Sequence, residues 1–394
     1  MRLRIVSSVS KNRITELLAT MVVWCAFMKS AFSEQTHFIL TGAGVLLGSF
    51  LLLVCLSSFK VKREVLYLLE AITVLGIFNI IFVGSMTVVN YIPMILLYLP
   101  IAIYFFYGNN SNSKYWEFNY FLYSAFLCFK MITSDDGYHL SYALSRNSLS
   151  VLLLIWLVIL SVLYAKENKY LPLKDVIVFL VGCIIATGRG GIISGVMLAF
   201  CFWLIETKEN ILRSSIKKHK YKLKLILLFL VALITAIIFA YNFDLFYNKY
   251  MFRFTDPASI RSSDARIYIW KLYIERCQNL LIFFWGDNTY RLLHFTFNGN
   301  LHNSILMTHA KFGIIGFFYV ICVFVASTAL AIKTKDYRFL SIILVFFIRS
   351  LTDQIFPGKT GDIAFFMIIF YQMGFWSLLI RTKMEKRKIE ILEH

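Results

Sequence analysis

The sequence predicts an all-α polytopic membrane protein with about twelve transmembrane helices and one large, partly helical external loop. Hydrophobic residues make up 59% of the 394 residues, and the mean hydropathy is +0.70, which is more apolar than a soluble domain of this length. Charged residues make up only 16%, which leaves little of the chain for polar loops. We therefore expect residues 1–394 to form a single membrane domain.

Apolar runs long enough to cross a bilayer recur along the chain. The predicted spans are 14–32, 38–58, 65–84, 91–107, 118–134, 149–165, 174–188, 191–206, 225–243, 312–332, 339–356 and 363–380. The first run contains Lys29 and lacks a small-residue cleavage site, so it is predicted to be a retained helix and not a signal peptide.

The formal net charge is +18, and most of the 40 Lys and Arg residues lie between alternate pairs of predicted spans. The segments that carry them are 1–13, 59–64, 108–117, 166–174, 207–224, 333–338 and 381–394. Because short basic loops face the cytoplasm, both termini are predicted to be cytoplasmic. The basic charge therefore reflects topology, and no nucleic-acid partner is predicted.

One predicted external loop, residues 244–311, is basic against this rule. Its eight basic residues are Lys249, Arg253, Arg261, Arg266, Lys271, Arg276, Arg291 and Lys311. Guanidinium groups match phosphate oxygens in two-pronged hydrogen bonds, so the set indicates an anionic ligand on the external side. Scattered surface charge is the alternative for any single residue. A loop of this length is typically ordered and functional.

Within this loop, residues 264–285 show the apolar spacing of a helix. Helical spacings of three or four residues relate the apolar residues Ile267, Trp270, Tyr273, Ile274 and Cys277. We expect an amphipathic helix that lies on the helical bundle or on the outer leaflet.

Arg189 lies between two predicted spans, in the stretch ATGRGGIISG. A cation at that depth is costly and needs a partner or a function. The glycines around it allow close backbone approach, and the N-terminus of the following helix suits a phosphate-like anion. An arginine that extends to the interface, with glycines for helix packing, is the alternative.

His302 and Asn303 lie shortly before the predicted span 312–332, in the stretch LHNSILMTHAKFGIIGF. A histidine with a pKa near neutrality can take a proton from a sugar hydroxyl, and Asn303 can orient the imidazole or the substrate. The alternative is that Asn303 simply caps the following helix. His294 and His309 remain alternative bases.

Two acidic pairs are weaker candidates. Asp135 and Asp136 can bind a divalent metal or act in acid–base chemistry, but SDDG is more typical of a turn. Arg349 and Asp353 are four residues apart and are expected to pair with each other. The cysteines lie mostly in apolar runs without a CxxC pair, so no metal site is predicted. No nucleotide-binding or serine-hydrolase motif is present, which argues against ATP-driven transport and serine hydrolysis.

Taken in order, four elements resemble the O-antigen polymerase and O-antigen ligase superfamily of bacterial envelope glycosyltransferases, which includes Wzy-like polymerases. The elements are TGRGG at 187–191, Arg266 with Trp270 in DARIYIW, Gly286 in WGDN, and the stretch 301–317. The resemblance covers about residues 185–330. Many members have an acidic residue where this chain has Lys311, and ligases often read His-Asn-Glu where Ser304 follows Asn303, which favours a polymerase.

The resemblance implies an enzyme of the bacterial inner membrane with its active site facing the periplasm. The donor and acceptor would be undecaprenyl-pyrophosphate-linked saccharides, and a chain-length-regulating co-polymerase is an expected partner. Arg189 and Arg266 would hold the leaving pyrophosphate, with Arg253, Arg261, Arg276 and Asn303 in substrate binding. His302 would act as the general base in an inverting displacement that needs no cofactor and no metal.

Three other functions remain open at this point. An O-antigen ligase would transfer the polymer to lipid A-core. A lipid-linked oligosaccharide flippase or transporter suits a chain with many spans, but transporters place charges near the midplane and show repeated halves. A receptor or structural membrane protein leaves the external arginines and histidine unexplained.

Overall fold

The computed structural model describes residues 2–58, 63–84, 91–108, 112–133, 146–186, 188–213, 257–289 and 300–373. All regular structure in these ranges is helical. The helices of the first half are α1 Arg2–Met28, α2 Glu34–Ser58, α3 Arg63–Val83, α4 Ile92–Tyr107, α5 Ser113–Thr133, α6 Arg146–Lys166, α7 Leu173–Ala186 and α8 Arg189–Arg213. Those of the second half are α9 Pro257–Arg276, α10 Leu280–Trp285, α11 Ser304–Lys333, α12 Tyr337–Thr352 and α13 Asp362–Met373.

The helical class is confirmed, and five helices in the described ranges are long and apolar enough to cross a membrane. They are Arg13–Ala31, Glu34–Ser57, Asn147–Lys166, Gly190–Lys208 and Ser304–Lys333. Every predicted span except 225–243 overlaps a helix, although the bounds differ at several ends. The span 225–243 lies outside the described residues. The total of about twelve spans stays a prediction.

Helix α6 is the centre of the bundle. Every residue from 149 to 160 is buried, and the helix packs against α4, α5, α7, α8 and α12. A helix that is apolar on all sides belongs in such a position. Around its middle, Trp156 lies 4.9 Å from Phe27 and 6.3 Å from Trp116 between ring centroids. These large side chains hold α1 and α5 against the central helix.

The predicted span 312–332 begins earlier in the structure, because α11 starts at Ser304. The helix is broken at Gly313, which has φ +65° and ψ −163°. The piece before the break, residues 304–312, belongs to what was predicted to be external loop. The piece after it is about 30 Å long at 1.5 Å per residue, which matches the hydrocarbon thickness of a bilayer.

The break in α11 makes room for the short helix α10. A side chain at Gly313 would overlap the carbonyl oxygen of Phe284. Asn79 on α3 donates from Nδ2 to the carbonyl of Trp285 at 2.7 Å. Trp285 stacks on Phe78 at 5.0 Å and on Phe82. Helix α10 is thereby wedged between α3 and α11, with Leu280 70% exposed on its outer side.

We predict that Gly313→Ala destabilises the protein. A left-handed φ costs an L-residue roughly 1–2 kcal/mol, and the added methyl also displaces α10, so the melting temperature in detergent should fall clearly. Gly42→Ala on α2 is the control, since a side chain there meets nothing within 4 Å. Equal melting temperatures for the two variants would contradict the argument.

Candidate active site

The start of α11 holds His302 in a defined backbone conformation. Trp270 on α9 donates from Nε1 to the carbonyl of Leu301 at 2.8 Å. The amide of His302 donates to Oδ1 of Asn300 at 2.7 Å. His302 itself has φ +50°, in the left-handed region that few non-glycine residues adopt. Such backbone outliers are concentrated at functional sites, and here the side chain is half-buried.

Asn303 is the N-cap of α11. Its Oδ1 accepts hydrogen bonds from the amides of Ile305 at 2.9 Å and Leu306 at 3.0 Å. This is the capping role that the sequence analysis left open, and it stabilises the helix start by about 1 kcal/mol. Because Oδ1 is engaged, the predicted substrate binding by Asn303 would use its side-chain amide nitrogen.

Ser304 joins α11 to the segment after α12. Its hydroxyl donates to the carbonyl of Asp353 at 2.9 Å and accepts from the amide of Ile355 at 2.8 Å. Ser304 is fully buried. The predicted span 339–356 was too long, because α12 ends at Thr352 and residues 353–361 turn back over the start of α11. We call residues 353–361 the return loop.

Arg266 contacts the end of α12 and acts on His302 through its charge. From α9 its Nη1 donates to the carbonyl of Thr352 at 2.9 Å, where the end of α12 leaves carbonyls without helical partners. Its charge acts on His302 together with that of Asp353. Three segments therefore meet here: α9, the start of α11 and the start of the return loop.

The electrostatics favour a neutral His302. Burial lowers the pKa of His302 below its ordinary value, the positive charge of Arg266 lowers it further, and the negative charge of Asp353 raises it. The net direction is downward, so the imidazole is unprotonated at neutral pH. That is the form that can accept a proton from a hydroxyl.

Arg349 is a second buried guanidinium at the site. It is 3% exposed, and its Nη2 lies 3.5 Å from Oδ2 of Asp353 and 3.5 Å from the carbonyl oxygen of Asn147. The predicted pairing with Asp353 is confirmed, but it does not satisfy all the hydrogen-bond donors of the guanidinium group. Nε of Arg349 has no hydrogen-bond partner among the described residues. Beyond this pair, the sequence indicated no role for Arg349.

Gly190 brings the N-terminus of α8 to the same place. A side chain at Gly190 would overlap Nη1 of Arg349, so the glycine admits the guanidinium next to the first turn of α8. The first amides of a helix lack helical partners and favour anions. Arg189 is the first residue of α8, so its backbone lies at the site; its side chain is outside the described residues.

His309 has a structural role. Its Nε2 lies 3.0 Å from the carbonyl oxygen of Phe283, which can only accept, so Nε2 carries the proton. Nδ1 lies 2.7 Å from the hydroxyl of Tyr273 and accepts from it. Both ring nitrogens are thus engaged, and the ring is 5% exposed. Of the candidate bases His302 and His309, His309 is therefore assigned a structural role, and His302 stays the predicted base.

Arg276 pairs with a carboxylate away from this cluster. Its Nε donates to Oδ2 of Asp287 at 2.6 Å and its Nη2 to Oδ1 at 3.3 Å. The amide of Asp287 in turn donates to the carbonyl of Ala310. Arg276 thus holds the end of α9 to the segment before the break in α11, and its substrate-binding role stays a prediction.

Several predicted residues lie outside the described residues. Arg253, His294, Asp135 and Asp136 are among them. Arg261 lies on α9, but its side chain is not described.

A family model described as O-antigen ligase matches residues 175–321. The matched segment covers just over a third of the chain and is similar to that family. The match confirms the predicted resemblance to the O-antigen polymerase and ligase superfamily, whose members act as glycosyltransferase-like enzymes in polysaccharide assembly. It includes Arg189, Arg266 and His302, whereas Arg349 and Asp353 lie beyond it. No curated protein and no solved structure matches the chain.

We predict that His309→Phe lowers stability and that His302→Asn does not. The first change keeps the ring volume but leaves the Tyr273 hydroxyl and the Phe283 carbonyl buried without a partner, at about 1–3 kcal/mol each. Asparagine tolerates the left-handed conformation of residue 302. Thermal unfolding of the two purified variants checks this, and a larger loss for His302→Asn would refute the assignment.

Proposed function

We propose that the protein is an inner-membrane polymerase that joins undecaprenyl-pyrophosphate-linked oligosaccharide repeat units into O-antigen or a related surface polysaccharide. The observation that carries the proposal is the grouping of a neutral, half-buried histidine with two guanidinium groups and a helix N-terminus at one end of a helical bundle. The family match supports saccharide transfer, and the apolar helices support lipid-linked substrates.

The chemistry follows from these groups. An acceptor sugar hydroxyl attacks the anomeric carbon of the donor saccharide while His302 takes the hydroxyl proton. The new C–O bond forms as the bond from the anomeric carbon to the pyrophosphate oxygen breaks, and the electron pair leaves with the pyrophosphate. Attack opposite the leaving group inverts the anomeric centre.

Positive charge is arranged for the leaving group. Arg266, Arg189 and the first amides of α8 would bind the pyrophosphate and stabilise the charge that develops on it. Arg349 holds Asp353 and adds a second fixed guanidinium charge behind them. With His302 neutral and Asp353 as the local carboxylate, the described part of the site has an excess of positive charge.

The choice of polymerase over ligase depends on the sequence. Many ligases have a glutamate after His-Asn, whereas this chain has Ser304, whose hydroxyl is used to hold the return loop. The family description covers both activities. We place the active site on the periplasmic face with both termini in the cytoplasm, in accord with the distribution of Lys and Arg.

Complementation of a polymerase-deleted host tests the proposal. Wild type should restore a ladder of lipopolysaccharide sizes, and His302→Asn and Arg266→Gln should leave core with one repeat unit at equal membrane levels. Lys271→Gln is the matched control, because Lys271 is an exposed cation on the same helix as Arg266. It should keep the ladder.

Other outcomes would replace the proposal. If deleting the gene leaves bare core while lipid-linked polymer accumulates, the protein is a ligase. If lipid-linked repeat units fail to reach the external leaflet, it is a transporter. Full ladders from both site variants would mean that His302 and Arg266 are not the catalytic groups.

The pH dependence of turnover in liposomes provides a second test. The base must be unprotonated, so activity falls as the external pH drops through the pKa of His302. Asp353→Asn removes a charge that raises this pKa and should move the acid limb to lower pH. Arg266→Gln removes a charge that lowers it and should move the limb of its residual activity to higher pH. Shifts in the same direction would contradict the assignment of His302.

A further inference from the structure

A second group of cations surrounds the far end of the return loop. Lys29 lies in the turn after α1, Lys311 lies two helical turns beyond Ser304, and Lys359 lies on the loop itself. Asp362, at the start of α13, is the acidic member of the group. None of these residues takes part in the site around His302.

Lys29 is enclosed without an oxygen partner. It is 7% exposed, and among the described residues its Nζ donates to Sδ of Met94 at 3.7 Å, a weak acceptor. The same Nζ lies 5.0 Å from the ring centroid of Tyr98. The hydroxyl of Tyr98 lies 3.5 Å from Oγ1 of Thr360, so Lys29 faces the return loop.

Lys311 approaches the loop from the other side. Its Nζ donates to the carbonyl of Pro357 at 3.1 Å and lies 5.4 Å from the ring centroid of Tyr91. A side chain at Gly358 would come within 3.0 Å of this Nζ, so the amine packs closely on the return loop. The two lysines thus flank the same segment.

Lys359 is the solvent-exposed member of the group. Its surface is exposed, yet the surrounding protein lowers its pKa by desolvation and the charge of Lys29 lowers it further. Lys359 follows Gly358, which lies beside Nζ of Lys311, and precedes Thr360, whose hydroxyl lies near that of Tyr98 under Lys29. Its exposed side chain is therefore the member of the group that a ligand from solution would meet first.

The group has a surplus of positive charge. Asp362 is 1% exposed, and its Oδ2 already accepts from the amide of Gly358 at 2.8 Å. Asp362 acts electrostatically on Lys29 and Lys311, and Asp353 acts on Lys359, so two carboxylates stand against three ammonium groups. Enclosed cations in excess of their counter-charges are costly in a membrane protein and usually mark a ligand site.

We propose that Lys29, Lys311 and Lys359 form a binding pocket for the diphosphate of the acceptor lipid-linked saccharide. This assignment rests on the proposed function. The reaction has two lipid diphosphates, one that leaves and one that stays on the acceptor, and the arginine site serves the first. Along α11, Ser304 and Lys311 are about 10 Å apart at 1.5 Å per residue, so the two anion sites are separate.

Binding of inorganic diphosphate to the full-length protein in phosphatidylcholine nanodiscs tests the pocket by titration calorimetry. Wild type should show two binding sites. Lys359→Gln should weaken one of them about tenfold or more, the usual effect of losing a charge-assisted hydrogen bond, and Arg266→Gln should weaken the other. Lys359→Arg should retain binding, and Lys271→Gln is the control for loss of an exposed lysine.

Lys29→Met is the second variant, because it replaces the enclosed amine with an apolar chain of similar length. The proposal is overturned if Lys359→Gln and Lys29→Met both bind diphosphate at two sites as wild type does. It is also overturned if phosphatidylglycerol nanodiscs abolish the lysine-dependent binding, because a phospholipid headgroup then occupies the pocket. If wild type keeps the lysine-dependent diphosphate binding but restores no ladder, the proposed function is refuted and the anion site stands.

Discussion

The hydroxyl of Ser304 is the interaction on which the site depends. It is fully buried and has partners on both sides, donating to the carbonyl of Asp353 and accepting from the amides of Ile355 and Phe356. Without it the return loop would lose this partner for the carbonyl of Asp353 and the amides of Ile355 and Phe356, at about 1–3 kcal/mol per unpaired buried group. The same hydroxyl fixes the position of Asp353 relative to His302, and therefore the electrostatics of the base.

Backbone carbonyls next to and within the return loop hold two of the cations at this end of the bundle. Arg266 donates to the carbonyl of Thr352, just before the loop, and Lys311 donates to that of Pro357, at its middle. Neither carbonyl neutralises its partner. The bundle thereby retains positive charge that an anionic substrate can complement, and the return loop connects the arginine site to the lysine pocket.

The helices on the whole agree with the sequence because their signals are local. The length of the hydrophobic runs predicted where the helices lie. The cap formed by Asn303, which was the alternative to substrate binding, and the Arg349–Asp353 pair both follow short-range rules. The errors lie at Thr352, where α12 ends early, and at Gly313, where α11 breaks. In both places a distant segment supplies the hydrogen bonds or occupies the space that ends the regular helix.

The sequence by itself determined an all-helical chain with apolar spans, a concentration of arginines between residues 253 and 291, and a His-Asn pair at a helix start. These features depend on neighbours within a few residues, and so they can be read from spacing and composition. Only the tertiary structure decided that His309 is engaged by Tyr273 and Phe283 while His302 lies beside Arg266 and Asp353. It also placed Lys29, Lys311 and Lys359, which come from separate parts of the chain, around the return loop. Both results depend on contacts between distant segments, which the packing of the bundle fixes and no local pattern records.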